Sequence, residues 1–219
     1  MANLNVAVIL SGCGYLDGAE INEVVLTLLS LEKRGVNYQC FAPDIEQYHV
    51  VNHLTGEQTS EKRNVLIESA RIVRGKVKPI TECDSSNFGA LIVPGGFGVA
   101  KNLSTFAFEG SNFKLQPDLL KICQSFIGKA VGYICIGPAL LPIIYEKNIK
   151  LTIGNDKDTN DIIKSLGGSP VNCGVADVVV DNENKIVSTP AYMLANNINE
   201  AHQGIDKLVE KTLALAEHK

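Results

Sequence analysis

The chain has no surplus of positive charge, no apolar run approaching the ~20 residues that span a bilayer, no C-x-x-C pair and no internal repeat. Each absence removes a class of function. A formal net charge of -4 with 45% hydrophobic residues describes a soluble globular protein. It lacks the basic footprint that nucleic acid or an anionic membrane requires, so neither partner is expected. Met1-Ala2-Asn3-Leu4 lacks the basic start of a secretion signal, and a cytoplasmic location is expected, an organelle only after trimming of a transit peptide. The six cysteines, Cys13, Cys40, Cys83, Cys123, Cys135 and Cys173, show no metal-ligand spacing. Reduced thiols and no metal site are therefore expected, with Cys40 and Cys123 in the core. No linker or low-complexity segment divides the 219 residues, and one domain covering 1–219 is expected.

What is present is an alternation of short apolar runs with amphipathic ones. Asn5 to Leu10 reads as a strand ending in Ser11-Gly12-Cys13-Gly14, followed by a helix from Glu20 to Arg34 that Gly35 stops. Tyr38 to Ala42 reads as the next strand, at a distance that suits a parallel crossover. A hairpin-like excursion over 48–59 leads to a helix from Glu61 to Val73. Gly89 to Val93 is a buried strand ending in Pro94-Gly95-Gly96-Phe97-Gly98, and a polar loop runs from Lys101 to Gln116. Helices are expected at Asp118 to Ile127, Ala139 to Glu146, Asn160 to Leu166 and Ala191 to Glu217. A hairpin is expected across Asp181-Asn182-Glu183-Asn184. The pattern predicts an α/β fold, a mostly parallel sheet with helices on both faces, whose ligands bind at the carboxyl ends of the strands.

One residue stands out at such an end. Val131 to Ile134 is a buried strand, and Cys135-Ile136-Gly137-Pro138 turns it into a helix, the layout of a nucleophile elbow. A thiol at a helix N-terminus feels the positive end of the dipole, which predicts a depressed pKa for Cys135. A thiolate attacking a carbonyl needs N–H donors for the oxygen that becomes negative, and Gly95, Gly96 and the backbone at Ile136 are candidates. Glu20 and Glu23 lie three residues apart at the start of the first helix, and either can reach the thiol as acid or base. Gly12 and Cys13, in a loop at the same end of the sheet, are candidate substrate contacts. Histidine is missing where a thiol amidotransferase or protease needs it: Ile136 follows the cysteine, His49 and His53 lie far upstream, and His202 and His218 belong to the terminal helix. Arg63 and Asn64 open a helix and are candidates to enter the site, with a solvated helix end as the default reading.

Ser11-Gly12-Cys13-Gly14, Asn52-His53-Leu54-Thr55-Gly56-Glu57, Arg63-Asn64-Val65-Leu66-Ile67-Glu68, Pro94-Gly95-Gly96-Phe97-Gly98, Lys101-Asn102-Leu103, Cys135-Ile136-Gly137-Pro138-Ala139 and Thr189-Pro190-Ala191-Tyr192-Met193-Leu194-Ala195 together resemble the ElbB family. That family lies in the ThiJ/PfpI branch of the class I glutamine amidotransferase-like superfamily, and the resemblance covers almost the whole chain. It implies a flavodoxin-like three-layer sandwich, a homodimer, Cys135 as elbow cysteine, a helix-borne glutamate at Glu23 or Glu20, and an oxyanion hole at Gly96 and Ile136. It also implies a cofactor-independent glyoxalase-like activity, with glyoxal or methylglyoxal as the small aldehyde substrate and no cofactor or glutathione. The missing histidine argues against glutamine hydrolysis. Two alternatives stay open: a binding or redox-responsive protein in which Cys135 is oxidised, with exchange toward Cys13, and a nucleotide-binding module resting on the glycine loops alone.

Overall fold

The computed structural model describes residues 4–145 and 148–217. Seven strands form one sheet in the order β3-β2-β1-β4-β5-β9-β8. These are β1 (Asn5–Ile9), β2 (Asn37–Ala42), β3 (Val77–Pro79), β4 (Ala90–Val93), β5 (Ala130–Ile134), β8 (Val179–Asp181) and β9 (Ile186–Thr189). Six strands run parallel, and β8 alone is antiparallel, paired to β9 through the expected hairpin. A separate two-stranded sheet, β6 (Lys150–Leu151) with β7 (Ser169–Pro170), lies outside it. The helices are α1 (Ile21–Lys33), α2 (Val65–Ile72), α3 (Phe97–Lys101), α4 (Phe106–Glu109), α5 (Pro117–Ser125), α6 (Leu141–Tyr145), α7 (Lys157–Ser165) and α8 (Ile198–Glu217).

Side chains alternate across each strand, so the sheet carries two cores. Ala7, Ile9, Leu91, Val93, Val131 and Tyr133 face a layer that includes α5 and α6. Val6, Val8, Ile92 and Ile134 face α1 and α8, with Leu31, Ile205 and Leu208 packed against them. This is the flavodoxin-like sandwich, and its strand order reverses between β1 and β4. The chain leaves β1 toward β2 and β3, then returns to β4 on the other side, which opens a crevice at the carboxyl ends where ligands bind in such sheets.

Several boundaries differ from the sequence reading, each for a local reason. The helix expected from Glu61 starts at Val65, because the Asn64 side chain caps it by accepting the Ile67 N–H at 3.0 Å. The terminal helix starts at Ile198 instead of Ala191. Asn197 Oδ1 accepts the Glu200 N–H at 3.0 Å and caps it, while Ala191 to Met193 form a separate 3-10 turn. The helix expected at Asn160 begins at Lys157 behind the Asp156 cap. The loop over 101–116 holds α4 and a bridge between Ser104 and Leu115. Strand β3, three residues long, offers too few positions for alternation to show. The expected end of the helix behind Cys135, Glu146, lies outside the described residues.

Candidate active site

Cys135 sits directly after β5 with φ +61°, in the left-handed region that costs a non-glycine residue roughly 1–2 kcal/mol. Its N–H donates to the Thr189 carbonyl at 2.9 Å, which continues the β5–β9 ladder by one residue and holds the turn in place. A 3-10 turn, Gly137–Leu140, leads from it into the five-residue α6. The elbow expected from the sequence is therefore present as a strand, a strained residue and a tight turn.

Glu23 lies on the buried face of α1 beside Val24 and Thr27 and is 0% exposed. Its carboxyl and the Cys135 side chain both crowd against Gly95, and the two acids interact. Oε2 accepts the Gly95 N–H at 2.8 Å, and Oε1 accepts the Tyr192 N–H at 3.3 Å. Among the described residues no cation pairs with this carboxyl. Burial, reinforced by the charge of Glu20, pushes Glu23 up to about 8, against the pull of those N–H groups. Glu20 occupies a different post one turn earlier. It is the N-cap of α1, its Oε2 accepting the Glu23 N–H at 2.6 Å, and it is half-buried. Of the two glutamates, the structure sets Glu23 against the thiol.

The expected depression of the Cys135 pKa is not what the surroundings produce. Burial and the adjacent Glu23 carboxyl raise it well above the ordinary thiol range, while the N–H groups of Gly96 and Ile136 oppose them. The dipole argument fails because the following turn is 3-10 and α6 is short, whereas the desolvation acts on a thiol only 8% exposed. The two acids thus sit side by side, each raising the other.

Two glycines make this approach possible. A Cβ on Gly95 would collide with the Cys135 Cβ and with the Glu23 carboxyl, so only glycine lets the loop after β4 bring its N–H to that oxygen. Gly96 has φ +99°, and a side chain there would strike the backbone of Gly18 and Glu20. Glu20 N–H donates to the Gly95 carbonyl at 2.9 Å, and Gly98 N–H to Gly18 at 2.8 Å, so the loops after β1 and β4 are stitched together. Asn102 completes the seam: its Nδ2 donates to the carbonyls of Ser11 and Asp17, both at 2.9 Å, and its Oδ1 accepts the Tyr48 N–H.

A cavity of about 470 Å³ opens above the sulfur. Cys135, Gly96 and Ile136 line it together with Phe97, Phe106 and Met193. Gly12, Cys13 and Gly95 are not part of this lining. The Gly95 N–H is committed to Glu23, and the Gly12 N–H donates to Ser69 Oγ at 3.0 Å on the side of α2. Cys13 lies there too, its thiol raised by burial and by Glu68. Arg63 pairs with Glu61 and Glu68, and Asn64 caps α2, so neither enters the cavity. His53 accepts the Leu16 N–H and stands edge-on to Tyr15, and His49 stands edge-on to Tyr48 and Phe108. His218 lies outside the described residues. Sequence reasoning missed Tyr192 and the aromatic lining. The signal for Tyr192 was its place just past β9, the strand that neighbours β5.

No family model matches the chain. Curated relatives do. The chain is 40% identical to the rat (Rattus norvegicus) "ES1 protein homolog, mitochondrial" over 96% of its own length and 83% of that protein. It is 40% identical to the human (Homo sapiens) "glutamine amidotransferase-like class 1 domain-containing protein 3, mitochondrial", over 96% of this chain and 82% of the other. Among solved structures, an isoprenoid biosynthesis protein with an amidotransferase-like domain from Ehrlichia chaffeensis superposes with a TM-score of 0.90 at 38% identity, covering 97% of this chain and 99% of that one. Schizosaccharomyces pombe DJ-1 shares the fold alone, with a TM-score of 0.59 and 14% identity over 97% and 96% of the two chains.

These names overturn the cytoplasmic expectation, since the curated relatives are called mitochondrial. The expectation rested on the absence of a secretion signal and of a membrane-crossing run, features that report on export and leave internal compartments untested. With 40% identity along nearly its whole length and a superposable amidotransferase-like fold, the chain belongs to the ES1 family of glutamine amidotransferase-like class 1 proteins.

Proposed function

We propose that this protein is a cofactor-independent, glyoxalase-like enzyme that converts an α-oxoaldehyde to a 2-hydroxy acid, and that within its family it is an ElbB-type member. The observation that carries the reading is the Glu23 carboxyl buried against the Cys135 thiol, with no cation among the described residues to fix its charge, and pushed up to about 8. Such a carboxyl both takes and returns a proton at physiological pH.

The Cys135 sulfur bonds to the aldehyde carbon, the carbonyl π bond opens, and the thiol proton passes through Glu23 to the new oxygen, giving a hemithioacetal. The N–H groups of Gly96 and Ile136, which already interact with the sulfur, are the donors for the charge that builds on that oxygen. Glu23 then takes the proton from the aldehyde carbon to give an enediol and returns it to the neighbouring carbon. The product is a thioester of the 2-hydroxy acid. Water cleaves the carbon–sulfur bond, releases the acid and restores the thiol, so the sum is the oxoaldehyde plus one water. Glu20, which also lines the cavity and whose charge acts on Glu23, is the second carboxyl of the site.

Glutamine hydrolysis has less support, because no histidine lines the cavity. The redox-responsive alternative draws on the same buried thiol, and the Glu23 carboxyl beside it, a proton carrier that oxidation does not need, is what favours the aldehyde reading. The test is turnover of purified methylglyoxal to lactate, with glutamine as control substrate. Wild type is expected to produce the hydroxy acid, and Cys135→Ala to lose at least ~10³-fold in kcat/KM. Full activity of Cys135→Ala would remove the proposal.

A further inference from the structure

The cavity over Cys135 is larger and more apolar than glyoxal needs. Its volume of about 470 Å³ falls within the range that holds drug-sized molecules, whereas methylglyoxal carries three carbons. Phe97, Phe106, Ile136 and Met193 contribute apolar surface that offers a small hydrated dialdehyde little to bind. The charged groups of the lining are carboxyls, Glu20 and Asp156, and no lysine or arginine is among them. Lys101, next in the chain to the lining residue Ala100, lies over the Phe97 ring at 5.2 Å and donates to the Leu16 carbonyl at 2.9 Å. A phosphate or carboxylate substituent would meet like charge and find no counterion.

We infer that the physiological substrate is an α-oxoaldehyde carrying a neutral, ring-sized apolar substituent, seated against Phe106 and Met193 with its aldehyde carbon over Cys135. This substrate class rests on the glyoxalase-like reading above, and the bond changes are the same: an aryl oxoaldehyde plus water gives the aryl 2-hydroxy acid. Phe97, Phe106 and Met193 become the residues that set specificity. Burial of a ring against such a surface predicts at least a tenfold advantage over the methyl compound.

Two measurements separate the pocket from the reaction. The first is the rate of Cys135 alkylation by N-phenyl-iodoacetamide and by iodoacetamide, read at the Cys135 peptide by mass spectrometry and normalised to each reagent's rate with glutathione. The expected preference for the aryl reagent is tenfold or more. It should fall below threefold in Phe106→Ala, which removes a lining ring, and in Ala107→Trp, which fills the cavity from an exposed position on α4. The second is kcat/KM for phenylglyoxal, followed as mandelate, against methylglyoxal, followed as lactate, with the same tenfold expectation. An aryl preference in labelling without turnover of either aldehyde supports the pocket and removes the glyoxalase-like reading. Turnover of both aldehydes with no aryl preference in either measurement overturns the substrate class and leaves that reading standing. Neither preference nor turnover overturns both.

Discussion

The protein carries two cysteine-bearing turns at the same end of its sheet, each with a buried glutamate for a neighbour, and only one has the makings of a reaction centre. Cys13 follows β1 and lies near Glu68 of α2; Cys135 follows β5 and touches Glu23 of α1. Glu68 is buried but faces two guanidinium groups, Arg71 at 3.0 Å and Arg63 at 3.5 Å. Its charge is compensated by cations that reach in from the surface. Glu23 receives backbone N–H groups instead, and dipoles compensate less than a full charge does, so burial lifts it to about 8. A buried carboxyl beside a thiol is therefore no signature by itself. What decides its chemistry is whether a cation or only main-chain dipoles share the space.

That contrast can be broken by substitution, and the largest effects belong to the β5 side. Glu23→Gln removes the proton carrier while keeping the shape, and kcat/KM for an oxoaldehyde should fall by ~10²–10⁴. Cys13→Ala should stay within about twofold of wild type, and Glu20→Gln, which keeps a capping oxygen, within about tenfold. If Glu20→Gln lost more than Glu23→Gln, the proton would be travelling by the Glu20 carboxyl and the assignment of Glu23 would be reversed.

The pH dependence is the next largest effect. The reactive form of the pair has lost one proton, so kcat/KM should rise with pH and level off above about 8, an apparent value that belongs to the pair. Stability runs the other way. A carboxyl at about 8 in the fold and 4.5 in the unfolded chain contributes its full stabilisation below 4.5 and loses it as pH rises toward 8. Glu23→Gln, which stays neutral, should therefore melt at least ~4 °C above wild type at pH 8 and close to it at pH 4. Parallel melting curves would mean that Glu23 is not held protonated.

The smallest effect tests the α2 side. Glu68→Gln leaves Arg63 and Arg71 without their shared partner, which should lower stability by about 1 kcal/mol in low salt and less at high salt. Aldehyde turnover should not change, and a change above threefold would show that the two turns are coupled.

Much of this was legible in one sequence. Alternating β-branched runs located β1, β4 and β5, and the glycine and proline punctuation after Val93 and Ile134 marked the two turns that meet at the site. The choice between Glu20 and Glu23 was not legible. Three residues apart on a helix, they share a face, and what separates them is the Gly95 N–H, 72 residues further along the chain, which reaches only the second. The aromatic lining was equally hidden. Phe106 lies in a stretch that reads as polar loop and becomes α4 only where Ser104 and Leu115 close across it.

The sequence by itself determined where the thiol stands, because strand period, a glycine-rich turn and a proline act over a few neighbouring bonds. Only the tertiary structure decided what that thiol is like. A local reading predicted a dipole-lowered pKa, and the fold reverses the sign by burying Cys135 against a second acid brought from α1. Desolvation and charge pairing depend on everything within a few ångströms, and those neighbours come from α1, from the loop after β4 and from the end of β9 as much as from β5 itself.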